Sequence, residues 1–168
     1  AYIEKYSGKF DMGWDAMRNE TLAREKELGV VPESTDLPPR DQWVKAWDSL
    51  TSDEKKVYAR FAEVHAAYID YTDEQIGRFL DCLEESGQLN NTMIVVISDN
   101  GASPEGDANG WTNMVMWANE ISEGGDSSGF QDNFLPLPNI TNMSTMLSKI
   151  DEIGGPLSYP TYPLGWSM

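Results

Sequence analysis

The sequence predicts an α/β fold with a largely parallel sheet, and three observations carry that prediction. A helix-capping signature at Thr51 opens an apolar stripe long enough for one helix over roughly 52–86. Gly87 then supplies a stop. A continuous apolar run of strand length, Met93-Ile94-Val95-Val96-Ile97, follows at once, the pattern of a strand buried on both faces. A long helix feeding such a strand is the repeating unit of parallel-sheet proteins.

The elements follow in order. Residues 11–28 place Met12, Met17, Leu22 and Leu28 at a loosely helical period, and Gly29 provides a left-handed cap. Residues 30–50 contain Pro32, Pro38 and Pro39, whose fixed φ and missing N–H groups exclude a long helix. Trp43 and Trp47 are expected to anchor this connector on a neighbour. Thr51 can accept from the Glu54 amide while the Glu54 carboxylate reaches back, and Val57, Phe61, Val64, Tyr68, Ile76, Phe79 and Leu83 then share one stripe. After the 93–97 strand, residues 98–139 are rich in Gly, Asn, Asp and Ser, and a loop of that length in a compact domain is usually functional. Residues 141–153 read as a helix closed by Gly154-Gly155-Pro156, and the tail is extended and aromatic. One core strand cannot form a sheet alone, so further chain is expected to complete the fold.

Composition limits the partners. Twelve Lys and Arg against 28 Asp and Glu give a net charge of −16, which argues against nucleic acid. After Arg78 the only basic residue is Lys149, so the second half is either a self-repelling solvated surface or a cation-binding segment. No run approaches the ~20 apolar residues of a membrane span. Cys82 alone excludes an internal disulfide framework and a cysteine-rich zinc site. The chain shows no leader, which leaves its compartment open, and both ends have the appearance of cuts.

Several patterns have the residue types of functional sites. Gly125-Asp126-Ser127-Ser128-Gly129 has the spacing of a nucleophile elbow without the required strand before it, and reads as a flexible loop. His65 is the one side chain that titrates near neutrality unaided, but it lies mid-helix at the shoulder of the apolar stripe and reads as a partly buried helix histidine. Cys82 has acidic neighbours that disfavour a thiolate, so it reads as packing. Glu105, Asp107 and Asn109 open like an EF-hand loop, but its twelfth position is Met116 rather than a bidentate carboxylate. Asn19, Asn90, Asn139 and Asn142 open N-x-S/T triplets of little weight in an Asn-rich chain. Ser98-Asp99-Asn100-Gly101 has turn chemistry. It also follows the apolar strand directly, where α/β sheets gather ligands, and Asp99 and Asn100 offer two hard oxygen donors suited to Ca²⁺ or Mg²⁺.

The ordered set Tyr68-Ile69-Asp70, Asp73 to Arg78, Leu83 to Gly87, Asn91-Thr92 and Ile97-Ser98-Asp99-Asn100-Gly101 resembles the formylglycine-dependent (type I) sulfatases, specifically bacterial-type arylsulfatases. Tyr6 to Asp15, Leu37-Pro38-Pro39-Arg40, Ala46 to Leu50, Gly154-Gly155-Pro156 and Tyr162 to Trp166 are similar to arylsulfatase segments in the same order. The resemblance implies an alkaline-phosphatase-like fold, in which a mostly parallel central sheet is flanked by helices. It implies a Ca²⁺ ion, in some members Mg²⁺, and hydrolysis of sulfate monoesters by a formylglycine made from Cys or Ser in a Cys/Ser-x-Pro-x-Arg motif. Its substrates are small sulfate esters or sulfated glycans. Asp99 and Asn100 match the family's C-terminal pair of metal ligands, and no catalytic residue transfers.

No Cys/Ser-x-Pro-x-Arg motif occurs in the 168 residues, and the family's first Asp pair and its Lys and His residues are absent. The whole of 1–168 is therefore expected to be an internal part of a sulfatase catalytic domain, inactive by itself and needing the remainder of its own chain. Its long helix would cover the sheet, its strand would enter the core, and its 98–139 loop would border the cleft. Two alternatives stay open: a phosphonate or phosphate ester hydrolase of the same superfamily, and a non-catalytic acidic module that binds Ca²⁺ or a protein.

Overall fold

A computed structural model describes residues 1–103, 105–113, 142–156 and 158–168. Among these, helices α1 (Tyr2–Tyr6), α2 (Gly13–Glu27), α3 (Ser52–Glu85) and α4 (Met143–Ser148) are joined by turns and extended segments. The Gly125–Gly129 loop, Met116 and Asn139 lie outside the described residues.

The 34-residue α3 dominates the structure, running about 50 Å at the helical rise. Its start is fixed by the anticipated capping box: Thr51 Oγ1 accepts from the Glu54 amide at 3.2 Å, and Glu54 Oε2 accepts from the Thr51 amide at 2.7 Å. Its end is fixed by Gly87, which takes φ +70° and lets the Gly87 and Gln88 amides reach the carbonyls of Glu84 and Leu83. Gly29 closes α2 in the same way, with φ +71° and the Gly29 and Val30 amides on the Lys26 and Glu25 carbonyls.

The apolar stripe of α3 is buried over only part of its length. Val57, Tyr58 and Phe61 lie in the core, whereas Tyr68 and Phe79 are 67% and 59% exposed. The described elements explain this difference. The start of α2, the connector and the C-terminal tail converge on the first half of α3. The second half receives α1, held by Lys5 on Asp70 at 2.8 Å and by the Tyr2 hydroxyl on Glu74.

An aromatic cluster forms the centre of the core. Trp14 stacks on Tyr58 with ring centroids 5.6 Å apart and meets Trp47 and Trp166 edge-on at 4.8 and 5.6 Å. Two of the cluster's indole N–H groups have backbone partners: Trp14 donates to the Lys45 carbonyl at 3.1 Å and Trp166 to the Tyr58 carbonyl at 2.9 Å. Helix α2 is thus anchored by Trp14 near its start. The expected stripe through Met12 and Leu28 is not its buried face, since both residues are exposed.

The connector corrects one expectation. Trp47 is buried as anticipated, but Trp43 is 72% exposed and anchors nothing. A turn in which the Val44 amide bonds the Asp41 carbonyl at 3.1 Å, and the Trp43 amide bonds the Asp41 carboxylate, directs Val44 inward instead. The connector is tied to α2 through Asp15, whose carboxylate accepts from Arg40 Nε at 2.9 Å and from the Trp47 amide at 2.8 Å.

The helix expected over 141–153 is shorter than its pattern. Asn142 caps α4 through its side chain, Lys149 leaves helical geometry, and a single 3-10 turn, Ile150–Glu152, leads to Gly154 at φ +87°. A Cβ at Gly154 would stand 2.5 Å from Val64, so the close approach to α3 requires glycine.

Residues 93–97 form no β-ladder with any described residue, and Met93 and Ile97 are 90% and 82% exposed. Strand pairing needs a neighbouring backbone on at least one edge, and no described segment pairs with this run. The described residues make only two isolated bridges, Trp111 with Thr161 and Asn113 with Tyr159.

Candidate functional site

Asp99 and Asn100 sit at a bend directly after the 92–98 segment, both exposed. The bend is stabilised locally: Ser98 Oγ donates to the Asn100 carbonyl at 2.6 Å, and Asn100 Nδ2 donates to the Gly101 carbonyl at 2.7 Å. Turn chemistry is compatible with a ligand role, since these bonds do not use the Asp99 carboxylate and use only the donor end of the Asn100 amide.

The two arms leaving this bend differ. Upstream, Thr92 is tied to the end of α3, where its hydroxyl donates to the Gln88 carbonyl at 2.8 Å. Downstream, a dense set of bonds begins at Ser103, whose amide donates to Tyr162 Oη at 2.9 Å. Gly106 packs so closely under the Tyr162 carbonyl that a Cβ there would stand 1.9 Å away. The Leu164 amide bonds the Asp107 carbonyl at 2.7 Å, and the Trp111 and Thr161 backbones exchange bonds of 2.9 and 2.8 Å. Tyr58 Oη donates to Asn109 Oδ1 at 2.6 Å, which fastens this turn to α3. Burial pushes the Tyr58 pKa up to about 12, so the phenol remains a donor.

Next to the bend is an open cleft of about 1260 Å³, lined by Arg60, His65, Tyr68, Asn100, Ser103 and Tyr162 among others. His65 is exposed overall, but one edge of its ring meets Tyr162 with centroids 4.6 Å apart. Desolvation lowers its pKa below the ordinary value, which favours neutral imidazole. Cys82, expected to pack, is instead an exposed free thiol on the second half of α3, where the described elements do not cover that face. Asn109 of the EF-hand-like run is committed to Tyr58, and Asp107 supplies its backbone carbonyl to Leu164.

The donor set at the bend suits a hard divalent cation. A carboxylate and an amide carbonyl are oxygen ligands of the kind Ca²⁺ and Mg²⁺ take, and both ions need six or more such contacts. Among the described residues no group of three His, Cys, Asp or Glu side chains could hold a metal ion. The Asp99-Asn100 pair thus fits such an ion as part of a coordination sphere and not as the whole of one.

The segments that resemble arylsulfatases are dispersed in sequence, yet the structure brings several of them together. Trp14, Asp15, Arg40, Trp47, Tyr162 and Trp166 all contribute to the aromatic core, its ties or the clamp below the bend. Sequence reasoning gave no role to Tyr162 and Tyr58 here. Their bonds span 59 and 51 residues, and no local pattern encodes them.

Comparison with known proteins gives the same direction. Over 102 residues the chain is 43% identical to an uncharacterized sulfatase of Schizosaccharomyces pombe, covering 60% of this chain and 18% of that protein. It is 34% identical over 103 residues to an arylsulfatase of Klebsiella aerogenes, covering 61% of this chain and 22% of the relative. An arylsulfatase of Clostridium perfringens is 45% identical over 47 residues, 28% of this chain and 10% of the relative. The chain thus spans at most about a fifth of the length of these relatives. No helix among the described residues is long and apolar enough to cross a membrane. The sulfatase family profile matches residues 1–139, a span that contains the Asp99-Asn100 bend, and the chain belongs to the sulfatase family.

Proposed function

We propose that this chain is part of the catalytic domain of a sulfuric ester hydrolase of arylsulfatase type, with an alkaline-phosphatase-like α/β fold. The observation that carries the reading is the family match over residues 1–139, which places the hard-donor pair Asp99-Asn100 inside sulfatase sequence at an exposed bend. Asp99 and Asn100 contribute two oxygen ligands to Ca²⁺ or Mg²⁺, and the remaining ligands and a formylglycine nucleophile come from outside these 168 residues. A cation bound there supplies positive charge for the sulfate oxygens and for a hydroxyl nucleophile.

The protein's own contribution is mainly placement. Asp99 brings one negative charge and Asn100 a neutral dipole, so the pair binds a dication without cancelling it. In this reading the 93–97 run enters a parallel sheet in the complete enzyme, which sets the bend at the carboxyl end of a core strand. The substrate is a small sulfate ester or a sulfated glycan. A net charge of −16 leaves sulfate recognition to the metal and to basic side chains elsewhere.

The test is steady-state kinetics of the complete enzyme on matched aryl sulfate and aryl phosphonate esters. The reading expects the sulfate ester to have the larger kcat/KM. A preference for the phosphonate would assign the same metal site to the other branch of the superfamily. No turnover of either, with Ca²⁺ still bound, would point to a non-catalytic acidic module.

A further inference from the structure

We infer that Tyr162 is a positioning residue for the Asp99-Asn100 bend, acting through its hydroxyl on the Ser103 amide. The inference rests on the metal-ligand reading of that bend. Ser103 is the third residue after Asn100, and its bond to Tyr162 Oη at 2.9 Å is the first tether on the downstream arm. On the upstream arm the last described tether is at Thr92, beyond the whole exposed apolar run. The bend itself carries only bonds within 98–101. Its location relative to the rest of the protein is therefore fixed chiefly from Ser103.

Tyr162 is built for that task. Its backbone is pinned from both sides, by the Thr161 amide on the Trp111 carbonyl at 2.8 Å and by the Leu164 amide on the Asp107 carbonyl at 2.7 Å. Its ring is backed by the His65 ring on α3 at 4.6 Å. The phenol oxygen is thus held by the long helix and the tail together, and through one hydrogen bond it transfers that rigidity to the chain three residues from a ligand. A ligand held in place before the metal arrives loses less conformational freedom on binding, so the tether should appear as metal affinity.

The test compares Tyr162→Phe, Asp99→Ala and the parent protein, each as the full-length enzyme stripped with chelator and titrated with Ca²⁺ by calorimetry. Tyr162→Phe keeps the ring contact with His65 and removes only the acceptor. The expected result is a Ca²⁺ affinity weakened about five- to tenfold, the range of one net hydrogen bond. The metal-free melting temperature should stay within about 2 °C of the parent, and kcat on an aryl sulfate should return at saturating Ca²⁺. Parent-like Ca²⁺ affinity in Tyr162→Phe beside loss of binding in Asp99→Ala would overturn the positioning role alone. Parent-like affinity in Asp99→Ala would overturn the metal site and the positioning role together. A Tyr162→Phe defect that persists at saturating Ca²⁺, with a lower metal-free melting temperature, would show a general structural role and overturn the inference. Ser103→Pro removes the same bond from the donor side and is read by the same outcomes if Tyr162→Phe does not fold.

Discussion

The Trp166 indole donates to the Tyr58 carbonyl at 2.9 Å across 108 residues of sequence, joining the C-terminal tail to the first half of α3. The same ring packs edge-on against Trp14 and Trp47, so one residue closes the core on three elements. Trp14→Ala, at the centre of the cluster, should cost about 3–5 kcal/mol of stability. Trp166→Phe, which keeps much of the packing and loses the donor, should cost about 1 kcal/mol. Denaturant unfolding of the two variants checks the ranking, and equal losses would contradict the central place given to Trp14.

Gly13 and Gly29 make a matched comparison, because both take positive φ near the ends of α2 but differ in surroundings. A Cβ at Gly13 would stand 2.1 Å from the Trp47 ring, whereas one at Gly29 would meet nothing within 4 Å. Gly29→Ala should cost about 1–2 kcal/mol of backbone strain. Gly13→Ala adds displacement of a core tryptophan and should lower the melting temperature several degrees further. Similar melting temperatures for the two would contradict the close packing of α2 on Trp47.

Glu54 links stability to pH. Hydrogen bonding from the Thr51 amide, with Lys45 at 2.9 Å as a second partner, holds its carboxyl below the ordinary value of 4.5. A carboxylate with a depressed folded pKa contributes stability that is present above its unfolded pKa and lost as pH falls through the folded one. Glu54→Gln should therefore be less stable than the parent at pH 7, and the gap should narrow as the pH falls below about 4. Urea titrations at pH 7 and pH 3 measure the gap, and a constant difference would contradict the role of the ionised cap. Thr51→Ala should cost about 1 kcal/mol by removing the other half of the box.

Legibility followed the range of the interaction. The limits of α3 were readable because Thr51, Glu54 and Gly87 act within a few residues of themselves, and the expected 52–86 differs from Ser52–Glu85 by one residue. Gly29 as the end of α2 was readable for the same reason. Helix α1 had no such signal: its five residues carry no side-chain cap and are held by Glu74 and Asp70 of α3. The orientation of Trp43 was set by a turn at Asp41, which composition does not reveal. At the bend, residue type and the preceding apolar run mark Asp99 and Asn100 in the sequence. The clamp below them was not legible, since Tyr58, Asn109, Ser103 and Tyr162 meet only in three dimensions.

The apolar run at 93–97 yields a prediction with opposite signs in two settings. Val95 and Val96 are exposed in the described structure, as are Met93 and Ile97. The 168-residue polypeptide alone should bind a hydrophobic dye and aggregate, and Val95→Asp should reduce both. In the complete enzyme, where the run is proposed to be a core strand, the same substitution should cost several kcal/mol by burying a carboxylate, on the order of 3–5. Dye fluorescence on the first and thermal unfolding of the second check the pair. A neutral Val95→Asp in the complete enzyme would contradict the parallel-sheet placement.

The most direct measurement of the central claim is the metal content and aryl sulfate turnover of the complete enzyme carrying Asp99→Ala, with Asp99→Asn beside it. Removing one of the two oxygen ligands proposed for this chain should lower bound Ca²⁺ by at least about tenfold at limiting metal and reduce kcat/KM by about 100-fold or more. Asp99→Asn, which keeps an oxygen donor but loses the charge, should fall between that variant and the parent. Parent-like metal content and turnover in Asp99→Ala would contradict the assignment of the Asp99-Asn100 bend as a metal site.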